Sequence, residues 1–577
     1  MCSSNTLSSV KISMPDYVRY LEGAKMHDAF YSVLARNATD TKIESLDIDD
    51  IKLSQRQSAS RDLAQFICKM PHLRELHLGG AYRNISPSLH DEFYSTLSSL
   101  ASSAKHTTCL PTCFRTCHAP LCTSIIEYLD IRYIDLSQRL SALSDLAQLI
   151  SSSAKIEILH LSENLSERPS ASRDFAQFIC KMNHLKNLTL YGQYHDDFYS
   201  TASSMASTSK IEILHLSENL SERPSASRDL AQFICKMNHL KNLTLYGQYH
   251  DDFYSTASSM ASTSKIETLN VFGHLSERSS ASRDLAQFIC KMNHLKNLKL
   301  CSQYHDDFYS TASSMASASK IEILHLRENL SERPSASRDF AQFICKMNHL
   351  KNLTLYYGRY HDDFYSTASS MASTTKIEIL HHNENLRKRP SASRDLAQFI
   401  CKMNHLKNLK LCGQYHGDFY STALSMASTI KDDCNTSSNV TDLTVTDYTL
   451  EEWQDCGSMF DNVKRFTIQV WDTITCDVIQ RIHLPAATEL TIQTRERVNQ
   501  LASLHDDPTS LPNALHKVSS QLVKVTFRDL NIGNSEVRDI IQAFRSSDEK
   551  LLKILRYDIF SLFNTPFGHD ERLSVDI

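Results

Sequence analysis

Ile156-Glu157-Ile158-Leu159-His160-Leu161 and Leu185-Lys186-Asn187-Leu188-Thr189-Leu190 share one form, L-x-x-L-x-L, and begin 29 residues apart. Apolar residues at alternating positions spell a short strand with one buried face. After the first hexad, Ser170-Ala171-Ser172-Arg173-Asp174 reads as a helix start, because Ser offers an oxygen to free N–H groups and Asp suits the positive helix end. Phe175, Phe178, Ile179 and Met182 follow at i, i+3, i+4 and i+7, one apolar helix face. After the second hexad, His195-Asp196-Asp197 opens another helix, with Phe198, Ala202 and Met205 inward. The stretch is strand, loop and helix, written twice.

Working outward, residues 155–209 and 210–264 are one 55-residue unit repeated, differing only at Phe175 against Leu230. Further copies start at Lys265, Lys320 and Lys376, the last displaced by one residue at Tyr356-Tyr357. A fixed period means stacking rather than folding around one central core. Between Ile126 and Ile156 only half a unit occurs, so the structural unit is the single turn of roughly 28 residues. Earlier hexads lie at Leu7–Ile12, 43–48, 73–78 and 126–131, and diverged ones at 440–445, 463–468, 487–492, 522–527 and 552–557. Charge alternates inside successive hexads: Glu157, Lys186, Glu212, Lys241, Glu267, Lys296, Glu322, Lys351, Glu378 and Lys407. Strands stacked in sequence order make these opposite charges neighbours at about 4.8 Å.

The spacing and wording resemble leucine-rich repeats of the ribonuclease-inhibitor-like class. The resemblance implies an α/β fold: a curved solenoid with a parallel β-sheet on the concave face and helices on the convex face. Asn164, Asn219, Asn329 and Asn385 stand where that class places a loop asparagine that satisfies backbone groups of stacked turns, while His274 takes the place in the third copy. Ser-Ala-Ser-Arg-Asp-Leu-Ala-Gln-Phe-Ile-Cys-Lys-Met (225–237) is similar to the repeat regions of invertebrate innate immune receptors of the nucleotide-binding, leucine-rich-repeat (NOD-like) type. Their nucleotide-binding module has no counterpart here, so ligand recognition or autoinhibition is what the resemblance implies. The expected organisation is N-terminal turns over 1–102, a Cys-rich insert loop over 103–124, the near-identical array over 125–430, and diverged turns with a C-terminal cap over 431–577. No capping turn precedes Leu7, so either the first turn is exposed or the chain is a portion of something longer.

Composition narrows the function classes. The 577 residues are 41% apolar and 22% charged, with a net charge of −5. That near-neutral balance argues against nucleic acid and anionic membrane surfaces, and no apolar run approaches a membrane span. Cys68, Cys180, Cys235, Cys290, Cys345 and Cys401 recur at one place in the repeat, about two layers or roughly 10 Å apart, too far for disulfides. Buried thiols and a start without a secretory signal make a cytoplasmic location the expectation. Cys109, Cys113, Cys117 and Cys122 in the insert are a weak zinc candidate, against an unstructured loop or a disulfide pair. No phosphate-binding loop, zinc-protease helix or nucleophile elbow occurs, so the chain reads as non-enzymatic and without cofactor.

The candidate site is the exposed side of the strands. It comprises His160, Asn187, Thr189, Tyr191, His215, Asn242, Tyr246, Asn270, Phe272, Lys299, His325, Arg327, Tyr356, His381, His382 and Lys410. Alternate-strand histidines stand roughly 10 Å apart, which no single zinc ion spans at about 2.0–2.1 Å per ligand. Helix positions barely change among copies while several exposed strand positions do. A protein or pathogen-derived ligand is the expected partner, and the oligomeric state stays open. The alternatives are an enzyme regulator, ribonuclease-inhibitor-like or GTPase-activator-like, and a truncated duplicate without function.

Overall fold

The computed structural model describes residues 9–12, 28–38, 41–49, 56–79, 95–96, 126–131, 155–356, 358–432, 439–450, 460–471, 473–494, 503–504, 511–519, 521–528, 542, 554–558 and 572–576. The insert with Cys109, Cys113, Cys117 and Cys122 lies outside them. The chain divides into two compact units, Met1–His274 with Lys291–Leu295, and Leu275–Cys290 with Lys296–Ile577.

In the first unit, strands Ser9–Ile12, Ser45–Asp49, Glu75–Gly79, Tyr128–Ile131, Ile158–Leu165, Asn187–Tyr194, Ile213–Leu220, Asn242–Tyr249 and Thr268–Val271 pair in parallel, each with the next. Tyr128 pairs with Ile158 directly, so a single turn stacks as a complete unit. In the second unit, Asn297–Leu300, Ile323–Leu326, Asn352–Tyr356, Ile379–Asn383, Asn408–Leu411, Asp442–Thr446, Arg465–Val470, Glu489–Thr494, Lys524–Arg528 and Ile554–Asp558 do the same. Strand Arg572–Asp576 then joins antiparallel. Helices such as Pro169–Lys181, Asp196–Met205, Pro224–Lys236 and Asp251–Met260 pack side by side in sequence order. The architecture is a leucine-rich-repeat solenoid.

The hexad leucines explain the layers. Leu159, Leu161, Leu188, Leu190 and Leu214 are fully buried between sheet and helices, each contributing about 1.5–3 kcal/mol. Aromatics seal the helix side: Tyr249 stacks on Phe253 at 4.7 Å, and Phe253 meets Tyr254 edge-on at 5.2 Å. Cys180, Cys235, Cys290 and Cys345 are free and buried, and desolvation pushes each thiol up to about 12. The alternating charges meet as expected, with Lys186–Glu157 at 2.8 Å, Lys241–Glu212 at 2.8 Å, Lys351–Glu322 at 2.9 Å and Lys407–Glu378 at 2.7 Å.

Two expectations change. The first helix of the repeat begins at Pro169, one residue before the expected start at Ser170, because proline's fixed φ suits the first helical position; the third copy, with serine there, begins at Ser279. Ser172 is therefore inside the helix, and its hydroxyl donates back to the Leu165 carbonyl at 3.0 Å and accepts the His195 N–H at 3.1 Å. That buried serine ties consecutive turns together. The loop asparagines differ: Asn219 is exposed, and its oxygen accepts the Ser221 N–H at 3.2 Å and hydroxyl at 2.9 Å, a local turn, whereas the Asn385 amide also donates to Gln414 of the next turn at 3.0 Å. The second helix starts as read, with His195 as cap accepting the Asp197 N–H at 3.2 Å.

Candidate functional site

Side chains alternate along a strand, so a residue between two inward leucines must face away from the helices. In the first unit, register places Asp47, His77, Asp130, His160, Thr189, His215, Thr244 and Asn270 in one row on that face. Thr189 is only 4% exposed, a correction to its expected exposure. It sits between the longer His160 and His215 on adjoining strands and is recessed beneath them. Thr244 is recessed likewise and accepts a hydrogen bond from the Asn270 amide at 3.0 Å. His215 is half-buried, and desolvation lowers its pKa.

A second row lies one position beyond the inward leucines. Tyr191 is half-buried, and Tyr246 is 39% exposed and stacks on Phe272 with centroids 4.2 Å apart. The Phe272 N–H donates to the Leu245 carbonyl at 3.0 Å, which holds its strand against that of Tyr246. Asn187 and Asn242 occupy a preceding row and are half-buried.

In the second unit, Lys299, His325, Thr354, His381 and Lys410 share the corresponding row. Lys299 and Arg327 are exposed, and the Arg327 N–H donates to the Leu300 carbonyl at 2.9 Å. Burial raises the Cys301 thiol while the charges of Lys299 and Arg327 oppose that rise, so both cations stand beside it. Burial, then Lys299, lower the pKa of His325. Tyr356 is 38% exposed and contacts the His381 ring edge-on at 4.6 Å.

His382 is the clear misplacement. It was expected on the exposed face, yet it is fully buried and in register with Leu355 and Leu411. Because the strand period is two, the residue after outward His381 must point inward. Its ring lies 3.1 Å from the Tyr365 hydroxyl and 3.0 Å from that of Tyr415, and burial lowers its pKa to about 3.

Sequence reading missed the groups beside His160. His77 Nδ1 lies 3.7 Å and His160 Nδ1 4.0 Å from the Asp130 carboxylate, and Tyr128 contacts both rings. The hydrogen bond with Asp130 raises the pKa of His77. The signal was available, since His77 and Asp130 hold the same hexad position as His160. Sequence reading also missed a carboxyl buried behind the face. Tyr309 donates to Glu328 at 2.9 Å; Tyr199 donates to Glu218 and Tyr365 to Glu384 in the same way. Desolvation raises Glu218 to about 8, leaving it neutral, and both partners are sealed from solvent. Among the described residues, no group of three or more His, Cys, Asp or Glu could hold a metal, and no helix is long and apolar enough to cross a membrane.

No protein-family model matches the chain, and no curated protein matches it. Among solved structures it is similar to a chain in the crystal structure of the Rad7 and Elc1 complex in yeast, at 14% identity and a TM-score of 0.28, over 67% of this chain and 84% of that one. The fold assignment rests on the strand register and hexad burial described above.

Proposed function

We propose that this chain is a non-enzymatic recognition solenoid that binds a protein ligand on the helix-free face of its sheet. One observation carries the reading: large aromatics, Tyr246 and Tyr356, are held about two-fifths exposed on that face, each against a neighbouring ring. Partly exposed, braced tyrosines give large contact area at little entropic cost and often centre protein interfaces. The stacked Tyr246–Phe272 pair and the Tyr356–His381 pair are treated as separate contact centres, one in each unit.

The finer reading is recognition of a pathogen-derived ligand in a cytoplasmic setting. It rests on the likeness of the 225–237 wording to NOD-like receptor repeats. The test is capture of binding proteins by the full chain and by a variant carrying Tyr191→Ala, Tyr246→Ala and Tyr356→Ala. A partner retained by the wild type and lost by the folded variant supports the reading. Equal retention by both overturns it.

A further inference from the structure

The two units differ in what their helix-free faces carry. Each strand shows three alternating residues there, for example Asn297, Lys299 and Cys301. Across the five strands from Asn297–Leu300 to Asn408–Leu411, none of these outward positions is Asp or Glu. Lys299, Arg327 and Lys410 are among them, with His325 and His381 between. Glu322 and Glu378 at the strand entrances are already engaged by Lys351 and Lys407, at 2.9 and 2.7 Å. Glu328 is not on the face: it is buried behind the sheet, where it accepts from Tyr309, and burial raises its pKa. The first unit is the contrast: its row runs from Lys11 through Asp47 and Asp130 to Asn270, and it holds no Lys or Arg beyond Lys11.

From this charge distribution we infer that the second unit's strand face takes an extended acidic peptide segment, lying across the strands from Lys299 to Lys410 with an apolar residue over Tyr356. The inference rests on the strand-face reading above and names the occupant of that face. Five strands spaced about 4.8 Å apart set the outer cations' strands roughly 19 Å apart. An extended chain rises about 3.3 Å per residue, so about six residues separate acidic groups that reach both ends. Arg327, one strand in from Lys299, gives the acidic end of the segment a second cation that can bind a carboxylate in bidentate fashion. Tyr356 and exposed Ile379 supply apolar surface between the charged ends.

The test uses the full chain and a fluorescent peptide, Glu-Glu-Ala-Leu-Ala-Glu-Glu, beside a version with Gln for every Glu, read by anisotropy at two salt concentrations. The acidic peptide is expected to bind, more weakly at higher salt, and the Gln peptide not to bind. Lys299→Gln, Arg327→Gln and Lys410→Gln together should weaken binding by about tenfold. Lys181→Gln, Lys236→Gln and Lys346→Gln, exposed at helix ends, should leave it unchanged. Circular dichroism of both variants establishes that they are folded. Equal binding of the two peptides, equal binding by the strand-face variant, or no binding overturns the acidic occupant. If that happens while the tyrosine variant still loses a captured protein, the strand-face reading stands and only the occupant is wrong.

Discussion

At the scale of single residues, the buried carboxyls give the chain a pH signature. Folding raises Glu218 to about 8 and Glu384 to about 7 from an ordinary 4.5, with burial the leading cause. The folded state holds the extra protons, so this contribution to stability is full below 4.5 and is lost as pH rises through 7 to 8. His382 acts oppositely: its lowered pKa gives stability that is present above 6.5 and lost as pH falls toward 3. Glu218→Gln, Glu328→Gln and Glu384→Gln together should therefore flatten the fall in urea midpoint between about pH 4.5 and 8. An unchanged slope contradicts the assignment. Ser227 is fully buried, donates to Leu220 at 3.0 Å and accepts from His250 at 3.1 Å. Ser227→Ala should cost about 1–3 kcal/mol in urea unfolding, whereas Ser225→Ala, exposed two residues earlier, should change little.

At the scale of elements, strands were the most legible feature because alternation reports burial directly. That rule located the diverged hexads at 463–468 and 487–492, which run into strands Arg465–Val470 and Glu489–Thr494. The same rule, applied residue by residue, would have put His382 in the core beside outward His381. Helix starts were less legible, because the serines of 170–172 resemble caps while Pro169 sets the first turn. The Ser-rich second helix hid Tyr199, whose polar tip disguised a fully buried ring bound to a distant glutamate. No local pattern announces a partner nineteen residues away. Exposure on the face was only partly legible, since recessed Thr189 depends on the size of its cross-strand neighbours. Gly247 shows how tightly turns stack: it has φ of +137°, and a Cβ there would stand 1.9 Å from the Glu218 carbonyl oxygen. Gly247→Ala should destabilise the chain by more than about 1 kcal/mol, read from the urea midpoint.

At the scale of the molecule, each turn contacts its sequence neighbours, so stability is close to a sum of local terms. Residues 155–209 and 210–264 are almost identical, and deleting 210–264 rejoins Ser209 to Lys265 across the same kind of junction. The shortened chain should fold with unchanged circular dichroism per residue and a denaturant slope reduced in proportion to the residues removed. Loss of folding would contradict the nearest-neighbour account. The copied scaffold also bears on function, because the helix faces repeat while Phe272, Lys299, Arg327 and Lys410 break the repeat on the strand side. The central claim is that a protein ligand contacts that side. It is tested most directly by placing a photo-crosslinking amino acid, in separate full-length variants, at Tyr246 and Tyr356 on the strands and at Ser200 and Ser255 on the helices. The account predicts partner adducts from the strand positions and none from the helix positions; adducts from the helices alone, or equally from both, would contradict it.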